Sequence, residues 1–169
     1  MTSNAPSPAP ASDPIRLEEG TVAPDFTALD QHGEPVTLSQ LRGRKVILYF
    51  YGEAGTPACT GQACDFRDRL GSFAEEGYTV VGVSRDEVPA IARMAEAEQL
   101  TFTLLSDPDR HVHGLYGTFG TKLLYGREVQ GVIRATFVID EEGVIERAFY
   151  NIKATGHVAM LRKRLGLPA

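Results

Sequence analysis

Two short runs of apolar, β-prone residues, KVILYFY at 45–51 and YTVVGVS at 78–84, constrain this chain more than any other feature. Each is nearly continuous in Val, Ile, Leu and aromatic residues, the pattern of a strand buried on both faces. Such a strand needs cover above and below it. The stretch between the runs has the length and punctuation of a covering helix. Thr56 stands as N-cap, Pro57 occupies the first helical position, and Gly77 marks the stop.

The alternation continues along the chain. Residues 25–30 and 34–38 flank His32-Gly33 and read as a short N-terminal hairpin. Residues 88–99 form an Ala-rich amphipathic helix, 102–105 a strand, and Asp107-Pro108 opens a short helix ending near Gly117. Residues 134–140 and 144–150 are strands joined by Glu141-Glu142-Gly143, a hairpin signal, and 156–165 closes the chain as a helix. Strands interleaved with helices, with an antiparallel hairpin at the end, predict an α/β domain. Its central sheet is mixed and flanked by helices. Residues 20–169 read as one domain, and the Pro/Ala-rich residues 1–19 as a disordered tail.

Composition narrows the function by exclusion. Of the 169 residues, 43% are hydrophobic and 23% charged, enough for a real core. The net charge of −5 comes with scattered Lys and Arg, which leaves no basic patch for nucleic acid. No apolar run approaches the roughly 18–20 residues of a membrane span. The tail has neither a basic nor an apolar segment of a secretory signal, so the expected compartment is the cytoplasm. Two cysteines, Cys59 and Cys64, are too few for a disulfide scaffold. In a reducing compartment such a pair is catalytic or metal-binding.

With Thr56 as N-cap, Cys59 is the third helical residue, where unpaired N–H groups and the positive end of the helix dipole favour a thiolate. The helix alone is insufficient. Lowering a thiol from ~8.5 to ~6 requires about 3.4 kcal/mol, and a helix terminus supplies about 0.3–1 kcal/mol, or ~2 when partly buried. A cation or further hydrogen bonds must come from elsewhere in the fold. Cys64 lies five residues on, which in an intact helix separates the two Cα atoms by about 8.6 Å and ~140° of rotation. Disulfides rarely span more than about 7 Å, so the pair stays unbonded or bonds only when the helix opens. Cys64 taken alone reads equally well as a small buried hydrophobe.

The segments APDFTALDQHGEPVTLSQLRGRKVILYFY, TPACTGQACDFRD, VVGVSRD, LLSDPD and YGREVQGVIRATFVID, in this order, resemble the peroxiredoxins. Within them the chain resembles the bacterioferritin comigratory protein or peroxiredoxin Q group from about Gly20 onward. The resemblance implies a thioredoxin-like fold and reduction of hydroperoxides without a cofactor or metal. It makes Cys59 the peroxidatic residue and Thr56 its hydroxyl partner. Arg134 becomes the cation facing the thiolate, and Cys64 the resolving cysteine of an atypical two-cysteine enzyme recycled by thioredoxin or a similar dithiol. The peroxide would bind among Thr56, Ala58, Cys59 and Arg134, with the backbone N–H groups of Ala58 and Cys59 completing the cradle. The group's expected state is a monomer, with a weak dimer as the alternative.

One departure stands out. The family's motif carries proline seven positions before the cysteine, where this chain has Gly52, followed by Glu53. Glycine neither fixes the turn nor shields a thiolate, and Glu53 would oppose one, so a looser loop and a less depressed Cys59 pKa are expected.

Each assignment has a plainer rival. Thr56 serves equally as an N-cap worth about 1 kcal/mol, and Arg134 as an ion-pair residue at a strand start. Tyr49, Phe50 and Tyr51 read as core before they read as a substrate wall. His111 and His113 read as surface or packing residues, and the charges from Asp65 to Arg69 as a solvated helix face. Among rival functions, a thiol–disulfide oxidoreductase would carry Cys-x-x-Cys. A copper chaperone would set its thiolates closer and add a histidine. A redox sensor that transmits the helix change is compatible with the same residues.

Overall fold

The computed structural model describes residues 16–124 and 126–167. Strands β1 (Thr27–Asp30) and β2 (Pro35–Thr37) form the N-terminal hairpin. The Asp30 carboxylate accepts from the His32 and Glu34 amides, closing the turn. Strand β3 (Lys45–Phe50) leads into helix α1 (Pro57–Glu75), and β4 (Tyr78–Ser84) into α2 (Val88–Ala97). Then follow β5 (Thr103–Ser106), α3 (His111–Tyr116), the ribbon β6 (Phe119–Leu124) and β7 (Arg127–Val132), β8 (Ala135–Ile139), β9 (Ile145–Tyr150) and α4 (His157–Arg164). Seven strands form one mixed sheet in the order β2-β1-β5-β4-β3-β8-β9. Strands β3, β4 and β5 are parallel, and the outer pairings are antiparallel.

The continuous apolar character of β3 has its predicted cause, because alternate residues feed two cores. Ile47, Tyr49 and Tyr51 pack with Ala63, Phe66 and Phe73 of α1, Ile91 of α2, and Val158 and Leu161 of α4. Val46, Leu48 and Phe50 join Val81, Val83, Val112, Tyr116 and Phe137 on the other face. The Tyr49 ring stacks on Phe66 with centroids 4.5 Å apart. Gly82 makes room for it, since a Cβ there would lie 2.9 Å from the tyrosine ring. This stack seats α1 on the sheet directly behind the β3–α1 loop. Among the described residues no helix is long and apolar enough to cross a membrane.

Two local readings differ from expectation. The helix expected from Asp107 starts at His111, because the Asp107 carboxylate caps it from outside, accepting the Val112 and His113 amides at 3.1 and 2.8 Å. The β6–β7 ribbon, unassigned in the sequence, is a separate two-stranded hairpin whose last residues deliver the chain to Arg134. Of the tail expected over residues 1–19, residues 1–15 lie outside the described residues. Residues 16–19 lie against β9: the Leu17 amide donates to the Tyr150 hydroxyl at 2.9 Å, and the Ala148 amide donates to Glu19.

Candidate active site

Helix α1 begins as the sequence predicts, with Thr56 extended at the N-cap (φ −75°, ψ 149°) and Pro57 opening the first turn. Its buried stripe is Cys59, Gln62, Ala63, Phe66 and Phe73, at i, i+3, i+4, i+7 and i+14 along one helix face. Cys59 lies on that stripe and is 2% exposed. Cys64 is turned away from it and half-buried, and both are free thiols. The Thr56 hydroxyl donates backward to the Glu53 carbonyl at 2.8 Å instead of capping an amide ahead of it. In the first turn, the Ala58 and Cys59 amides have no protein acceptor among the described residues.

The cation that the helix could not supply comes from the entry to the neighbouring strand β8, at the same end of the sheet. Arg134, immediately before β8, places Nη2 2.8 Å from Cys59 Sγ. Burial raises the Cys59 pKa, but the Glu53 N–H, the Thr56 hydroxyl and the Arg134 guanidinium together outweigh it and hold the thiol below its ordinary value. Glu53, expected to oppose the thiolate, acts through its backbone, and its side chain is exposed. The Thr56 hydroxyl has one proton, so it serves the Glu53 carbonyl or the sulfur at any one time.

The loop over residues 52–56 is tied down without a proline. Asp86, just past β4, accepts the Ala54 amide at 2.7 Å and the Ser84 hydroxyl at 2.8 Å. A Cβ added at Gly52 would sit 3.8 Å from both Arg134 Nη2 and Cys59 Sγ, in ordinary contact. Asp86 was not singled out in the sequence; its signal was a Ser-x-Asp at the C-terminal end of a central parallel strand, where open α/β sheets gather their sites.

Gln62 and His157 were also missed. Gln62 Oε1 accepts from Arg134 Nη1 at 3.0 Å, and its Nε2 lies 3.0 Å from His157 Nδ1. His157 Nε2 in turn lies 3.0 Å from Thr136 Oγ1. Gln62, Thr136 and His157 are each no more than 1% exposed. The spacing of three from Cys59 puts Gln62 on the same helix face, a legible signal. Nothing local marks His157.

Cys64 has a different environment. Its Sγ donates to Glu98 Oε2 at 3.4 Å, and burial together with that carboxylate pushes the thiol upward. Arg67 donates to the Glu98 carbonyl at 2.7 Å and pairs with Asp68 at 3.1 Å, so the polar face of α1 is in part a tether to the end of α2. Tyr49, Phe50 and Tyr51 are core residues. His111 is exposed, whereas His113 is fully buried with Nδ1 2.6 Å from Asp107.

This sheet, with a cation-paired cysteine at the N-terminus of the helix that follows the central strand, defines a thioredoxin-like protein with an activated thiol. Residues 20–148 match the AhpC/TSA family. A Mycobacterium tuberculosis protein named as a peroxiredoxin is 55% identical over 152 residues, 90% of this chain and 97% of the relative. The peroxiredoxin Bcp of Escherichia coli K12 is 42% identical over 141 residues, 83% of this chain and 90% of the relative. Among solved structures, peroxiredoxin Q of Xanthomonas campestris superposes with a TM-score of 0.78 at 30% identity, covering 83% of this chain and 90% of that one. Peroxidoxin BcpB of M. tuberculosis gives 0.78 at 33%, covering 91% and 100%. The chain belongs to the peroxiredoxins, in the group of Bcp and peroxiredoxin Q.

Proposed function

We propose that this peroxiredoxin is a thioredoxin-recycled peroxidase for hydrogen peroxide and organic hydroperoxides, acting through Cys59 and Cys64. The observation that carries the reading is the 2.8 Å contact between Arg134 Nη2 and Cys59 Sγ. The Cys59 thiolate attacks the terminal oxygen of the peroxide and forms an S–O bond as the O–O bond breaks. The departing oxygen takes a proton and leaves as water or alcohol, and Cys59 becomes a sulfenic acid. Arg134 faces the charge that moves from sulfur to the leaving oxygen, Thr56 orients the peroxide through its hydroxyl, and the free Ala58 and Cys59 amides line the approach.

Resolution is the second half of the cycle and requires the helix to open. Cys64 attacks the Cys59 sulfenic sulfur, water leaves, and a disulfide forms once the first turns of α1 unwind. A dithiol of the thioredoxin type then returns two electrons and two protons by exchange. A solved Xanthomonas campestris bacterioferritin comigratory protein is described by its alkyl peroxide reduction activity, which supports organic hydroperoxides as substrates. A monomer in the cytoplasm is the state that fits an intramolecular disulfide and a reducing partner.

Peroxide consumption coupled to thioredoxin and its reductase tests the cycle. Cys59→Ser should abolish turnover, and Cys64→Ser should abolish the thioredoxin-coupled rate while leaving one stoichiometric reduction of peroxide. Turnover by Cys59→Ser would overturn the reading. Full coupled activity in Cys64→Ser would remove Cys64 from it.

A further inference from the structure

The chain of contacts running inward from Arg134 has one internally consistent hydrogen-bond assignment. A guanidinium only donates, so the Gln62 atom facing it must be the carbonyl oxygen. The other end of the amide is then the donor, and it faces His157 Nδ1. That nitrogen must accept, which places the single proton of a neutral imidazole on Nε2, where it donates to Thr136 Oγ1. Gln62, Thr136 and His157 are buried and Arg134 is half-buried, so a mismatch among the first three would leave a polar group unsatisfied at a cost of about 1–3 kcal/mol.

We infer that His157, as the neutral Nε2–H tautomer, is a positioning residue for the peroxidatic site, fixing through Gln62 the Arg134 guanidinium against Cys59. The inference rests on the peroxidase reading above and extends it to helix α4. A proton added at Nδ1 would face the Gln62 amino group. Relief by an amide flip would turn that amino group toward Arg134, donor against donor. One proton on a residue 98 positions from Cys59 along the chain is therefore incompatible with the Arg134 anchor.

The surroundings keep that proton away. Gln62 and Phe66 of α1 and Thr136 of β8 pack on the ring, Phe66 edge-on at 5.6 Å, and Arg134 is the charged group that bears on it. Burial and the Arg134 charge push the His157 pKa down to about 4. Gln62 also lies between the two cysteines. Unwinding α1 far enough to join Cys59 to Cys64 withdraws it from His157, so the clasp favours the reduced, helical state.

Two measurements test this. Nitrogen NMR of the reduced wild-type protein at neutral pH should show His157 Nδ1 unprotonated and Nε2 protonated; the opposite tautomer overturns the inference without any variant. Rapid-mixing kinetics with hydrogen peroxide should show His157→Leu reacting about tenfold more slowly with a raised Cys59 thiolate pKa. That is below the ~100-fold that a 1 Å misplacement can cost. His157→Asn, whose side-chain oxygen can accept from Gln62 where Nδ1 did, should recover most of the rate. An unchanged rate and thiolate pKa in folded His157→Leu overturns the inference, as does a His157→Asn no better than His157→Leu. The Cys59→Ser control separates the two levels. If it is inactive while His157→Leu is silent, the peroxidase reading stands and only the clasp fails.

Discussion

Arg134 and Cys59 stand 75 residues apart in the chain and 2.8 Å apart in space, one at the entry to β8 and the other in the first turn of α1. Strands β3 and β8 are neighbours, with Phe50 opposite Ala135, so the loop leaving β3 and the residue entering β8 meet at one sheet end. That register is what turns an isolated helix-terminal thiol into a cation-paired one.

Arg134→Met keeps length and volume but removes both the charge and the fork of donors. The second-order rate with hydrogen peroxide should fall by about 100-fold, the loss typical of one donor at a developing negative charge. The Cys59 thiolate should appear at higher pH, read from its ultraviolet absorbance. A rate within a factor of about two of wild type would show that the guanidinium does not stabilise the reacting charge.

Stability should fall on acidification through the His157 window. The folded pKa of about 4 lies below the ordinary 6.5, so between these values the unfolded chain binds a proton that the folded one refuses. The stability contributed by the neutral ring is complete above pH 6.5 and is lost progressively toward pH 4, amounting to about 3 kcal/mol. Urea unfolding across that range should show the slope in wild type and a shallower one in His157→Leu.

Glu98→Gln removes the carboxylate that accepts the Cys64 S–H while keeping a similar shape. Burial and that carboxylate raise the Cys64 pKa, so the substitution should move it down. Alkylation of Cys64 at neutral pH, measured in a Cys59→Ser background, should become faster. A rate unchanged or slower would mean that Glu98 does not hold the thiol protonated.

Gly52→Ala adds a methyl group at 3.8 Å from both Cys59 Sγ and Arg134 Nη2, and Gly52 does not occupy the left-handed region that would make the change strained. The main effect is a smaller entropy loss on folding, worth about 0.4–1 kcal/mol. Thermal melting should rise by about 1–4 °C, as expected for a chain of this length. A lower melting temperature would show that the niche beside the sulfur cannot hold a methyl group.

The sequence by itself determined most of the elements and set a cysteine at the start of α1. Unbroken apolar runs at β3 and β4, the Thr56-Pro57 start of α1 and the Gly77 stop are local signals. Periodicity, capping and the rigid proline ring act over a few residues and do not wait for the rest of the fold. The placement of Cys59 at a helix start, and the inability of Cys59 and Cys64 to bond within an intact helix, follow from the same local geometry. The β6–β7 ribbon was not legible, because its strands mix apolar, polar and glycine residues without a regular alternation and lie outside the main sheet. The start of α3 was misread, because Asp107 caps it from four residues away.

Only the tertiary structure decided what surrounds the sulfur. The resemblance of its segment singled out Arg134, but bringing it against Cys59 takes the strand order, and whether Asp86 or a proline steadies the loop depends on where β4 ends. The assignment of Gln62 as a link to His157 depends on α4 packing beside α1. These are pairings across 32 to 95 residues. Hydrogen bonds and charges act over a few ångströms of space, and no local periodicity or capping rule along the chain encodes which distant groups will come within that reach.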